Sequence, residues 1–171
     1  MPYPEALVQP MRHELTRLGV RELHTAADVD ESIQEAEEGT TLVIVNSVCG
    51  CAAANARPAV ALAIQSPVQP DRYVTVFAGQ DLDATARMRQ YLAGIPPSSP
   101  FFALFKNGEP VYVIERRHIE GRSASAIASD LSQAYAKYCG TEEHAGEGPE
   151  RPVTADVERG KDLPPSFRSI L

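Results

Sequence analysis

Residues 40 to 59 read TTLVIVNSVCGCAAANARPA, and this stretch decides the fold. Thr40 to Val45 is a short, continuous, largely β-branched run, the pattern of a strand buried on both faces of a sheet. It runs directly into Asn46-Ser47-Val48-Cys49-Gly50-Cys51. Ala52 to Ile64 is then almost all Ala, Val, Leu and Ile, interrupted by Asn55, Arg57 and Pro58, which predicts a buried helix kinked at Pro58.

The flanking segments extend this strand-to-helix unit in both directions. Upstream, Leu7, Met11, Leu15 and Leu18 stand at helical spacing and Gly19 is a stop signal. Pro10 is tolerated where a helix begins, so the regular helix is expected to start there, with the first residues as a separate arm. Val20 to His24 predicts a short strand, and Thr25 with Asp28 a capped helix carrying Val29, Ile33 and Ala36 up to Gly39. Downstream, Tyr73 to Phe77 is a strand, and Asp81 caps a helix with Ala84, Met88, Tyr91 and Leu92 on one face. No helix crosses Pro96-Pro97-Ser98-Ser99-Pro100. Phe101 to Phe105 and Val111 to Ile114, joined through Asn107-Gly108, predict a β-hairpin, and Ile127, Leu131, Ala134, Tyr135 and Tyr138 a final helix ending at Cys139 and Gly140. The order is a helix, then βαβαβα, then ββα. It predicts an α/β fold with a mixed central sheet flanked by helices and an extra N-terminal helix.

Composition sets the outer bounds. The chain has 171 residues, enough for one domain with a full core, and 43% of them are hydrophobic. No apolar run approaches the roughly 18 residues that span a bilayer. The net charge of -7 and the lack of a basic patch argue against nucleic acid as a partner. The opening MPYPEALVQP lacks the features of a secretory signal, so a cytoplasmic location is expected. Residues 1 to 140 form the expected domain. Residues 141 to 171, rich in Pro, Gly and charge without an apolar period, are expected to be a flexible tail, in which LPPSFRSIL (163 to 171) has the make-up of a short docking motif.

Cys49 falls where the buried strand gives way to the helix, so its sulfur faces the free amides of the first helical turn. A helix N-terminus favours a partly buried anion by up to about 2 kcal/mol and lowers a thiol pKa. Arg57 lies about two helical turns on, roughly 12 Å away, too far to act on that sulfur directly. Cys51, two residues on, fits a resolving thiol: an i, i+2 disulfide is possible but strained, and strained disulfides are readily reduced. Cys51 lies within the first turn and is expected to be screened, so access distinguishes the two sulfurs better than acidity does. A metal or iron-sulfur carrier is the competing reading of a Cys-Gly-Cys pair, but it needs three or four ligands. The other candidates, His13, His24, His118, His144 and Cys139, are scattered. A redox-sensing module whose tail recruits a partner is a further alternative.

The segments NSVCGCAAANARPA (46 to 59), TVFAGQD (75 to 81), ATARMRQY (84 to 91), PPSSP (96 to 100) and RHIEG (117 to 121) together resemble the bacilliredoxin family, thioredoxin-like proteins with a Cys-Gly-Cys site. The similarity covers about residues 5 to 139, and PFFALFKNGEP (100 to 110) also resembles the proline, strand and hairpin of thioredoxin. Phe101 and Phe102 are bulkier than expected at that strand entry, and the tail lies outside the similarity. The resemblance implies a thioredoxin-like fold and a cis Ser99-Pro100 bond facing the cysteines, which spacing does not decide. It implies Cys49 as nucleophile, Cys51 as resolving thiol, substrate contacts at Gly50, Ser99 and Pro100, and Cys139 as a cysteine common near the end of the last helix. It further implies removal of bacillithiol or a similar small thiol, acting as co-substrate with no bound cofactor or metal, from mixed disulfides on S-thiolated client proteins in the cytosol. General protein disulfide reduction or isomerisation is the alternative within the same chemistry.

Overall fold

The computed structural model describes residues 1 to 140 together with the backbone of Val153 and Thr154. Its helices are α1 (Glu5–Thr16), α2 (Ala26–Glu35), α3 (Arg57–Ala63), α4 (Leu82–Tyr91) and α5 (Ala124–Tyr138). Its strands are β1 (Arg21–Glu22), β2 (Thr40–Asn46), β3 (Arg72–Phe77), β4 (Phe101–Lys106), β5 (Glu109–Ile114) and β6 (Val153–Thr154). They form one sheet in the order β1-β3-β2-β4-β5-β6. β3 pairs in parallel with β1 and β2, while β4 runs antiparallel to both β2 and β5. This order and polarity, with helices on both faces and α1 added in front, is a thioredoxin-like fold.

β2 is central because every one of its seven residues is buried. Its alternation divides the core: Leu42 and Ile44 face one apolar cluster, Val43 and Val45 the other. α3 and α5 cover the first face through Ala59, Val60, Ile127, Leu131 and Tyr135. α2 and α4 cover the second through Val29, Ile33, Ala84 and Met88. Phe102 and Leu104 join the first cluster, and Phe101, Ala103 and Phe105 the second. The bulky entry to β4 is thereby explained: Phe101 and Phe102 fill opposite faces of the sheet and are 3% and 1% exposed. Asn107 (φ 52°) and Gly108 (φ 84°) turn the hairpin with two successive left-handed residues, the geometry that favours Asn-Gly.

Three expectations need correction. α1 begins at Glu5, with Pro10 inside it. The proline removes one backbone bond, but the first turn is held by the burial of Val8 and by hydrogen bonds from Arg12 to Glu5 and between Tyr3 and Gln80. Asp81 occupies the N-cap of α4 without capping it through its side chain, because both carboxylate oxygens accept from Arg12, at 2.7 and 2.9 Å. The expected kink at Pro58 is a widened π turn over Ala52–Ala56, in which the Arg57 amide donates to the Ala52 carbonyl. Pro58 has no amide proton for the Ala54 carbonyl, and the wider turn is how the helix accommodates it.

Within residues 141 to 171, β6 pairs in parallel with β5, Val153 opposite Tyr112 and Thr154 opposite Val113. The expectations for the rest of that segment, including the 163 to 171 motif and His144, lie outside the described residues.

Candidate active site

β2 ends at Asn46, and the chain turns through Ser47 and Val48 into a helical turn begun by Gly50 and Cys51. The Cys49 carbonyl accepts from the amides of Ala52 and Ala53, at 3.1 and 3.2 Å, which makes Cys49 the residue that opens the helix. The Cys49 and Cys51 sulfurs are hydrogen-bonded at 2.8 Å, both as free thiols. Ser47 Oγ donates to the Cys49 sulfur at 3.1 Å.

These neighbours treat the two thiols differently. Burial pushes the Cys49 thiol up, but hydrogen bonds from Cys51, Ser47 and the Ala52 amide, with the Arg116 charge, outweigh it and hold Cys49 below the ordinary thiol range. Cys51 is held above that range by burial and by its position beside the Cys49 sulfur, against a weaker opposing pull from Arg116. Acidity separates them where the sequence had suggested access: both cysteines are partly exposed, Cys49 has the donors, and the neighbouring Cys49 sulfur raises the Cys51 pKa.

Ser99-Pro100 is a cis peptide bond at the head of β4. Val45 pairs with Phe101 in the antiparallel register, so Pro100, the residue before Phe101, stands at the same end of the sheet as Asn46, the residue after Val45. The sheet thus delivers Gly50, Ser99 and Pro100 to the same end as the two cysteines. Pro100 is buried, Ser99 partly exposed and Gly50 exposed. Arg116, just past β5, is tied to this loop: its amide donates to Ser98 Oγ at 3.3 Å and its guanidinium to the Ser99 carbonyl at 3.4 Å.

Cys139 is at the other end of the sheet. It closes α5 beside the Thr40 hydroxyl, which opens β2, whereas Cys49 follows the last residue of β2. Seven residues of strand put about 20 Å between those ends. Burial pushes the Cys139 thiol up. Cys139→Ser is therefore expected to leave the first thiol-transfer rate within about twofold of wild type, the variation typical of a substitution remote from the chemistry. Stopped-flow release of a labelled thiol checks this, and a loss as complete as that of Cys49→Ser would contradict it.

Ser47 and Arg116 were not singled out from sequence. Ser47 lies inside the quoted Cys-Gly-Cys block, two residues before Cys49. Arg116 has no local signal, since only the hairpin's return past Ser98 and Ser99 brings it to the site. His118 is buried and accepts from the Glu115 amide through Nδ1, a structural role. Among the described residues no three His, Cys, Asp or Glu side chains are grouped to hold a metal ion, and no helix is long and apolar enough to cross a membrane.

Two free thiols 2.8 Å apart, at a helix N-terminus on a thioredoxin-like sheet, define a thiol-disulfide oxidoreductase. Comparison with known proteins narrows the class. The family described as Disulphide isomerase matches residues 3 to 139. Two bacilliredoxins of Salinibacter ruber are 60% and 55% identical over 171 residues, covering 99% of each chain. A bacilliredoxin of Geobacillus kaustophilus is 52% identical over 139 residues, 81% of this chain and 95% of its own. The chain belongs to the bacilliredoxin family. The Salinibacter matches run through the C-terminal segment, so the similarity does not stop at residue 139 as the sequence motifs alone suggested. Among solved structures, Fasciola hepatica thioredoxin aligns with a TM-score of 0.48 at 20% identity over 70% of this chain and 99% of that one.

Proposed function

We propose that the enzyme removes a small thiol, bacillithiol or one like it, from mixed disulfides on cytosolic client proteins. The Cys49 thiolate attacks the small-thiol sulfur of the mixed disulfide. That disulfide bond breaks, the client leaves as a thiolate that takes up a proton, and the small thiol is now bonded to Cys49. Cys51 then attacks the Cys49 sulfur, releasing the small thiol and leaving a Cys49-Cys51 disulfide. Two equivalents of low-molecular-weight thiol return that disulfide to the dithiol and are themselves oxidised to their disulfide. Gly50, Ser99 and Pro100 line the path of the extended client chain.

The observation that carries this reading is the contact of two free thiols at 2.8 Å with the Ser47 hydroxyl set on Cys49: these donors favour the thiolate at Cys49, while burial and the neighbouring sulfur disfavour it at Cys51. The name shared by the relatives supports bacillithiol as the small thiol. The family description Disulphide isomerase favours a second reading, exchange of protein disulfides. Incubation with bacillithiol-modified and glutathione-modified client protein, followed by intact mass, tests both. The expected products are unmodified client with enzyme carrying a Cys49-Cys51 disulfide for the wild type, and unmodified client with one small-thiol adduct on Cys49 for Cys51→Ser. A covalent enzyme-client complex without the small adduct would favour exchange between protein disulfides.

A further inference from the structure

Arg57 takes no part in the steps above, yet it is 3% exposed. A buried guanidinium persists where its donors are used, so their targets are informative. Nε donates to Glu14 Oε2 of α1 at 2.6 Å, and Nη1 donates to both Asn46 Oδ1 and the Ser47 carbonyl at 3.0 Å. Asn46 Oδ1 accepts a second bond, from the Ser47 amide at 2.9 Å, while Asn46 Nδ2 donates to the Met11 carbonyl of α1 at 3.3 Å. Both polar groups of the Ser47 backbone are thus held, and its Oγ is left to reach the Cys49 sulfur at 3.1 Å.

We propose that Arg57 is a positioning residue: braced by Glu14, it fixes the Asn46-Ser47 turn so that the Ser47 hydroxyl is aimed at the Cys49 sulfur. The proposal rests on Cys49 being the attacking thiol. It makes α1, an addition in front of the core fold, part of the active site through the chain Glu14, Arg57, Ser47, Cys49. The groups facing the sulfur itself are Cys51, Ser47, the Ala52 amide and Arg116; Arg57 acts on it through Ser47. Lysine cannot replace it, because the work requires donors aimed in two directions from one rigid plane.

The test is the pH dependence of Cys49 alkylation in the full-length protein, read by mass spectrometry of the Cys49 peptide, for Ser47→Ala, Arg57→Lys, Glu14→Gln and the Ser47→Ala/Arg57→Lys pair. Ser47→Ala and Arg57→Lys are each expected to raise the midpoint by about one pH unit, the scale of one hydrogen bond to a charged group. Glu14→Gln moves it less and in the same direction. The double variant shifts no further than Ser47→Ala alone. Additive shifts in the double variant would overturn the proposal, as would an unmoved titration in folded Arg57→Lys. If Arg57→Lys does not fold, Glu14→Gln carries the same cycle with Ser47→Ala, since Glu14 is 41% exposed. Small-thiol removal by the wild type is assayed alongside: its absence rejects the proposed function, whereas an unmoved titration with removal intact rejects the role of Arg57.

Discussion

Cys49→Ser is expected to reduce removal of a small thiol from client protein to background, while Cys51→Ser still frees the client and accumulates a stable small-thiol adduct on Cys49. A serine hydroxyl is not ionised near neutral pH, so the first variant lacks its nucleophile. Cys51 does not take over, because burial still raises its pKa after the contribution of the Cys49 sulfur is removed. It still lacks the Ser47 donor, which reaches Cys49. In Cys51→Ser the new hydroxyl can donate in place of the thiol 2.8 Å away, so the first step is expected to stay within about threefold of wild type. Resolution is what fails, and the adduct persists until a free thiol arrives. Intact mass after one turnover decides the matter. An adduct on Cys51 in Cys49→Ser, with the client released, would reverse the assignment.

How much of this was legible beforehand depends on whether the signal was local. TTLVIV could be placed at the centre of the sheet because a strand buried on both faces has no polar alternation to keep. The strand-to-helix turn then put Cys49 at a helix N-terminus by spacing alone. Asn107-Gly108 announced its hairpin because few residue pairs adopt two successive left-handed conformations. The asymmetry between the two sulfurs was not legible, since it arises from a hydroxyl, an amide and an arginine that only the folded chain collects. Arg57 illustrates the same limit. Its place eight residues along the chain gave no reason to link it to Cys49, and counting residues could not show that it bonds the turn carrying Ser47. Asp81 failed differently: its type and position suited a cap, and a buried arginine 69 residues away in sequence took its oxygens.

That arginine carries the second large expected effect. Arg12 is 6% exposed and forks across both Asp81 oxygens, with Nε on Glu5 at 2.7 Å and Glu22 3.6 Å from Nη1. Its guanidinium also lies 5.3 Å from the centre of the Phe77 ring. Arg12→Met keeps most of the apolar stem but removes the guanidinium from Asp81, itself 13% exposed, leaving it His24 Nδ1 3.6 Å away. Breaking one partner of such a pair typically costs about 3 to 5 kcal/mol, far more than an exposed ion pair. The expected result is an unfolding free energy lowered by that amount, read as a lower urea midpoint with the m-value unchanged. Asp81→Ala in the Arg12→Met background should recover part of the loss, because the uncompensated charge is then gone. A single-variant loss below about 1 kcal/mol would place Arg12 among surface ion pairs, and a double variant that is less stable still would show that charge burial is not the cause. The Cys49 titration should not move in either case. α1 is thus fastened by two buried arginines of different consequence: Arg12 secures the helix to the start of α4, whereas Arg57 passes its placement on to a sulfur.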